Sequence, residues 1–173
     1  MHFFSGFSLT GESHFFNEFL KNSEYCVAGF SKGASEAVEY ALASSGRIDT
    51  LQLFSPVFFQ DRPERFRRLQ MMAYKKDSQA YLKTFMDNCF APLDIQKVNR
   101  VPTTLQELER LLYYVWDAGK LERVVERGIK IEVYLGSEDR IINSKEAKEF
   151  FLPYSTTYMI NGANHFLQRS ESD

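Results

Sequence analysis

The residues Gly29-Phe30-Ser31-Lys32-Gly33 set a serine between two glycines in the pattern G-x-S-x-G. A serine hydroxyl becomes a useful nucleophile when a base removes its proton, and imidazole, titrating near neutrality, is the side chain suited to that work. His165 lies in Asn161-Gly162-Ala163-Asn164-His165-Phe166, and two carboxylates, Glu138 and Asp139, follow Gly136-Ser137. A carboxylate behind an imidazole holds it in one tautomer and stabilises its cation. The chain order serine, acid, histidine is the one that a G-x-S-x-G strand-to-helix turn predicts. His2 and His14 have no such placement and are read as ordinary surface or core groups. Asp139 and Glu138 both remain candidates for the acid on residue type alone, and either could instead cap a helix or sit as a surface charge.

The string G-x-S-x-G arises by chance in about one chain of this length in twenty, so its neighbours must single it out. Tyr25-Cys26-Val27-Ala28 reads as a buried strand of small and β-branched residues. Ala34, Ala37, Val38, Ala41 and Leu42 then follow at helical spacing up to a stop at Gly46. A serine at so sharp a bend stands clear of the sheet at the positive end of the helix. Gly29 and Gly33 suit a chain that doubles back so tightly that a β-carbon would strike the neighbouring backbone.

The remaining elements follow from periodicity. Residues 2–4 form a short apolar strand, followed by the small-residue loop 5–11. A helix is expected from about Glu12 to Lys21, with Phe15, Phe16, Phe19 and Leu20 as its buried stripe. Ile48 to Phe54 is a strand closed by Ser55-Pro56. From Asp61 to about Gly119 the pattern is helical, broken near Pro92 and Pro102. Leu121 to Arg127 is a short helix ended by Gly128, and Ile129 to Leu135 is a strand. Ser144 is expected to cap a helix running to about Leu152, and Thr156 to Ile160 is the last strand. Strands alternating with helices predict a parallel sheet, and ligands bind beyond the carboxyl ends of its strands. Ser31, Asp139 and His165 all fall at such ends.

A chain of 173 residues, 44% hydrophobic, has the size of one domain with a substantial core. A formal net charge of −2 gives no overall reason to expect nucleic acid as a partner. Cys26 and Cys89 have neither metal-ligand nor redox spacing, so they read as reduced, partly buried thiols, with no metal and no cofactor called for. No apolar run of about 18 residues exists and the start lacks a signal-peptide pattern, so no membrane span is expected and the expected location is cytoplasmic. On the strands Thr50, Gln52, Lys130 and Glu132 alternate with apolar neighbours, unlike a parallel sheet covered on both faces. One face could therefore be thinly covered or meet a second copy of the chain in a homodimer.

From its first strand to its last the chain resembles the α/β-hydrolase superfamily. The resemblance is carried by the G-x-S-x-G turn and by the segments Gly136-Ser137-Glu138-Asp139 and Gly162-Ala163-Asn164-His165. The early position of the elbow and the shortness of the chain are similar to the short pimeloyl-acyl-carrier-protein methyl ester esterases of the BioV type. The resemblance implies a minimal α/β-hydrolase: a single domain over 1–173, an about five-stranded, mostly parallel sheet, and a helical lid inserted at about 57–119. Three strands usual in the superfamily are missing, two before the oxyanion loop and one between that loop and the elbow. It implies Ser31 as nucleophile, Asp139 as the acid, His165 as the base, and the backbone amides of Phe7 and Lys32 as the oxyanion hole. The usual His-Gly pair of the oxyanion loop is Ser5-Gly6 here, which keeps the Phe7 donor but raises the question of what keeps the loop rigid.

The lid carries a basic run, Asp61-Arg62-Pro63-Glu64-Arg65-Phe66-Arg67-Arg68, followed by Lys75-Lys76. On a helix Arg62, Arg65 and Arg68 can share one face while Phe66, Leu69 and Ala73 fall on another. The resemblance implies an acidic acyl carrier protein as the partner that this face would dock, although a charge run is as readily a solvated face. Phe85, Met86, Phe90, Leu111, Leu112, Tyr113 and Trp116 could line an acyl channel, with most serving as packing. Two other functions fit the same residues: a general carboxylesterase or thioesterase, and a catalytically inactive hydrolase fold serving as a binding module.

Overall fold

The computed structural model describes residues 1–170. Its centre is a five-stranded sheet in which His2–Phe4, Cys26–Phe30, Thr50–Phe54, Lys130–Gly136 and Thr156–Ile160 lie side by side in that order, every neighbouring pair parallel. The chain runs β1 (His2–Phe4), β2 (Leu9–Thr10), a 3-10 helix (Glu12–Phe16), β3 (Cys26–Phe30), α1 (Lys32–Ala43) and β4 (Thr50–Phe54). It continues through α2 (Glu64–Lys76), α3 (Ser78–Phe90), β5 (Asn99–Arg100), α4 (Leu105–Leu112) and α5 (Ala118–Glu126). The last elements are β6 (Lys130–Gly136), α6 (Ser144–Phe151) and β7 (Thr156–Ile160). Strands β3 and β4 are buried along their whole length, as interior strands of a covered parallel sheet should be.

Helix α1 lies on one face with Ala34, Ala37, Val38 and Ala41 fully buried. Its small side chains let it approach the sheet closely: a β-carbon on Gly29 would lie 2.2 Å from the Gly33 carbonyl oxygen. Helix α5 packs against α1 and β6, whereas α2, which follows β4, packs against both α3 and α4. Over the other face, Phe16 stacks on Phe54 at 4.7 Å, Phe30 meets Phe166 at 4.8 Å, and Phe90 stacks on Phe166 at 4.2 Å. All five rings are buried. Each contributes about 1.5–3 kcal/mol by leaving water, and together they floor the loop that carries His165.

Several expectations are corrected. The helix expected from Glu12 to Lys21 stops after a single 3-10 stretch at Phe16. Beyond it the backbone is engaged by a side chain from the sheet: Gln52 donates to the Phe19 carbonyl at 3.0 Å and accepts from the Lys21 amide at 2.9 Å. This explains the polar alternation on the strands. Glu132, 2% exposed, accepts from Lys21 Nζ at 2.7 Å, Tyr134 at 2.9 Å and Gln52 at 3.0 Å. Gln52, Lys130 and Glu132 thus belong to an internal polar network beneath the segment 19–21. The cap of α6 is Asn143, whose side chain accepts from the Glu146 amide, while Ser144 donates to the Gly136 carbonyl. The two-stranded antiparallel pairing of β2 with β5 gives no sequence signal, because strands of two residues have no periodicity. No helix among the described residues is long and apolar enough to cross a membrane.

Candidate active site

Ser31 sits between β3 and α1 with φ 53° and ψ −114°, a conformation that non-glycine residues rarely adopt. The strain is held by its neighbours. The Ser31 amide donates to the Phe54 carbonyl at 2.9 Å, and its own carbonyl accepts from Ala34 and Val57, each at 3.1 Å. Ser31 Oγ lies 3.1 Å from His165 Nε2, and His165 Nδ1 lies 2.6 Å from Asp139 Oδ2. Both side chains of the second contact are buried, His165 at 1% and Asp139 at 0% exposure. Asp139 Oδ1 accepts from the amides of Ile141 and Ile142 at 2.7 and 3.1 Å. With an acceptor-only carboxylate facing Nδ1, that nitrogen carries the hydrogen and Nε2 is left to accept from Ser31. Glu138 is exposed and takes no part in this chain.

The loop bearing His165 is fixed by groups that residue-type reasoning passed over. Asn164, fully buried, accepts the amides of Phe166 and Gln168 and donates to the Phe90 carbonyl at 2.7 Å. Ser55, also fully buried, donates from Oγ to the His165 carbonyl at 2.7 Å. Ser55 reads in sequence only as the stop before Pro56, and nothing local marks its partner. A β-carbon on Gly136 would lie 2.3 Å from the Ala163 carbonyl, so the acid strand and the histidine loop touch backbone to backbone.

Lys32 follows Ser31 within the elbow, and the loop that carries Phe7 lies against it. A β-carbon on Gly33 would lie 2.1 Å from the Phe4 carbonyl oxygen and 2.6 Å from that of Ser5, which sets loop 5–8 against the first turn of α1. Among the described residues neither the Phe7 nor the Lys32 amide donates to a protein group. The Lys32 side chain pairs with Glu36 at 2.6 Å on the helix surface. Ser8, at φ 62°, is tied to the far insertion, accepting from the Val101 amide at 3.1 Å and donating to its carbonyl at 3.0 Å.

No protein-family model matches the sequence, and no curated protein does. Solved structures do resemble it. Naproxen esterase (carboxylesterase NP) from Bacillus subtilis is 15% identical, with a TM-score of 0.56 over 82% of this chain and 53% of that one. A serine hydrolase from the bacterium Cycloclasticus zankles is 16% identical, with a TM-score of 0.56 over 82% and 57%. BioG from Haemophilus influenzae is 10% identical, with a TM-score of 0.59 over 95% of this chain and 87% of that one. The chain has the α/β-hydrolase fold. It spans about half the length of the esterase and hydrolase just named and most of the length of BioG.

Helices α2 to α4 lie in the chain between β4 and β6, within the stretch expected to form a lid. Arg62, Arg65 and Arg68 do not form one helical face there. Helix α2 starts at Glu64 behind Pro63, so Arg62 precedes it and lies over the Phe66 ring at 5.1 Å. Arg65 and Arg68 are exposed, and so are Leu69 and Ala73, which the helical spacing sets on a different face. Arg67 is the arginine that turns inward, donating to the carbonyls of Phe59 and Leu112 at 2.9 and 3.1 Å. Met86, Phe90, Leu111, Leu112 and Trp116 are buried packing, whereas Tyr113 is exposed. A cavity of about 240 Å³ borders Lys32, Val57, Leu111 and Tyr114, and one of about 140 Å³ lies among Phe59, Phe66, Tyr81, Phe85, Leu112 and Ile141.

Burial pushes the Cys89 thiol well above its ordinary value, and the nearby Asp139 charge adds to this, so Cys89 stays protonated and is no rival nucleophile. No group of three or more histidine, cysteine or carboxylate side chains among the described residues could hold a metal ion. The arrangement can perform acyl transfer. His165 can take the Ser31 proton as Oγ attacks a carbonyl, and the imidazolium can protonate the departing alcohol.

Proposed function

We propose that the protein is a serine carboxylesterase, and that its substrate is the methyl ester of a pimeloyl chain carried on an acyl carrier protein. The observation that carries the reading is the hydrogen-bonded chain Ser31 Oγ, His165, Asp139, with contacts of 3.1 and 2.6 Å. Attack by Ser31 forms the acyl–serine bond and breaks the ester bond, His165 giving its proton to methanol. Water, deprotonated by His165, then releases the acid and restores Ser31. Removing one oxyanion donor would cost on the order of a hundredfold in rate.

The carrier assignment rests on the resemblance to short BioV-type esterases and on the exposed cations of the lid, Arg65 and Arg68, which would attract an acidic partner. The carrier's arm would then present the far ester to Ser31 while the thioester stays at the mouth. The carboxylate so formed would be poorly held among apolar side chains and would leave. Incubation with carrier-bound methyl pimelate should release methanol, and Ser31→Ala should abolish that release. Full release by Ser31→Ala would sink the proposal. A carboxylesterase acting on free esters is the second reading, favoured by the fold shared with naproxen esterase; equal turnover of free and carrier-bound methyl pimelate would select it.

A further inference from the structure

The Ser5-Gly6 pair lacks the side chain that would stiffen an oxyanion loop, yet loop 5–8 is fixed on both sides. On one side the Gly6 amide donates to Glu12 Oε1 at 2.6 Å, across six residues of chain. Glu12 is 1% exposed, and its second oxygen, Oε2, has no hydrogen-bond partner. A buried carboxylate with one oxygen unpaired is a costly group to keep, and helix capping does not require it, since an exposed side chain would serve there. On the other side Ser8 is clamped to Val101 by two hydrogen bonds. Gly6 itself admits no side chain, because a β-carbon would meet the Phe30 ring at 2.8 Å. Between the two clamps the amides of Phe7 and Ser8 have no acceptor among the described residues, and the Gly6 carbonyl accepts from the Leu9 amide at 3.2 Å.

We infer that Glu12 is a positioning residue for the oxyanion hole: by taking the Gly6 amide it turns the adjoining peptide so that the Phe7 N–H is presented to the substrate oxyanion. The role is exerted through the loop, not by contact with substrate, and it rests on the esterase reading given above. A hydrogen bond from a backbone amide to a carboxylate is charge-assisted and short; its loss frees the Gly6 amide side of the loop, while the Leu9 amide still holds the Gly6 carbonyl and the Val101 clamp stays intact. The consequence is a misaimed donor in a folded protein.

The test uses the full chain with p-nitrophenyl acetate as substrate and benzeneboronic acid, which adds to the serine as a tetrahedral anion, as inhibitor. Glu12→Leu should lower kcat by ten- to a hundredfold with KM within about twofold, since a misplaced donor forfeits part of the hundredfold or more that such a donor supplies. It should weaken benzeneboronic acid by the same factor. Glu12→Gln, which still offers Gly6 an acceptor, should restore both to within about threefold of wild type, and the pH profile should not move in either variant. If Glu12→Leu does not fold, Glu12→Asp, one methylene too short to reach Gly6, should show both losses together at about fivefold or more. Unchanged kcat in the Leu or Asp variant, a kcat loss without a matching inhibitor loss, or a Gln variant as impaired as Leu would overturn the role. Wild-type turnover that survives Ser31→Ala, or no turnover of either p-nitrophenyl acetate or carrier-bound methyl pimelate, would overturn the esterase reading itself and the Glu12 role with it.

Discussion

Gly33→Ala is the substitution for which two well-known effects predict opposite signs. Gly33 is the second residue of α1, and replacing a helical glycine by alanine ordinarily stabilises by about 0.8–1.0 kcal/mol. Here the new β-carbon would lie 2.1 Å from the Phe4 carbonyl oxygen, 2.5 Å from its carbon and 2.6 Å from the Ser5 oxygen. All three are backbone atoms, so no rotamer can yield, and the gap must open to at least 3.0 Å by moving β1 and loop 5–8 away from α1. Overpacking of this kind costs about 1–3 kcal/mol, and contact with backbone belongs at the upper end. The clash should therefore win by about 2 kcal/mol, lowering Tm by roughly 4–8 °C for a chain of this size. Since the displaced loop carries the Phe7 amide, a shift near 1 Å should also lower kcat for an ester on the order of a hundredfold. Gly128→Ala is the control: it has φ +78°, nothing lies within 4 Å of its β-carbon, and it follows α5 away from the triad. It should lose about 1–2 kcal/mol through left-handed strain alone and keep its kcat. Denaturant melts and ester kinetics on both variants decide the matter; a Gly33→Ala protein as stable and as active as wild type would refute the close-approach reasoning.

Other substitutions separate the parts of the site. Asp139→Asn should leave the fold intact but lower kcat by about a thousandfold or more, because Nδ1 would face an amide and lose its fixed tautomer; kinetics with a fluorophosphonate labelling rate check this. Ser55→Ala strips the buried donor from the His165 carbonyl at 2.7 Å and should cost about 1–3 kcal/mol in chemical denaturation. For Glu132, burial is the largest single influence and raises its pKa, but hydrogen bonds from Lys21, Lys130, Tyr134 and Gln52 together outweigh it and hold the group below its ordinary value of 4.5. Its stabilising contribution is then complete above that value and is lost as pH falls through the lower folded value. Denaturation midpoints of wild type and Glu132→Gln should differ most near neutrality and converge in acid, and a gap independent of pH between 3 and 7 would contradict the network.

The fold was legible wherever a local rule and the tertiary packing agree. The strand before Ser31, the helix after it and the strand Thr156–Ile160 are each written in a run of residues with one period. The helix expected after Glu12 failed because Gln52, a strand residue far along the chain, takes the backbone groups that a helix would have used. The cap of α6 moved by one residue because Ser144 was drawn to the Gly136 carbonyl instead. The arginine triplet lost its shared face when Pro63 delayed the start of α2.

The sequence by itself determined the order of the five strands of the main sheet, the strained elbow and the residue types that can move a proton, since these depend on short-range sterics and on side-chain chemistry. Tertiary structure alone decided which carboxylate meets His165, what holds its loop through Ser55 and Asn164, and how Glu12 and Val101 grip the two ends of the oxyanion loop. Such contacts join residues distant in the chain, and their formation depends on a sheet register and on backbone approaches of a few ångströms that no local pattern encodes.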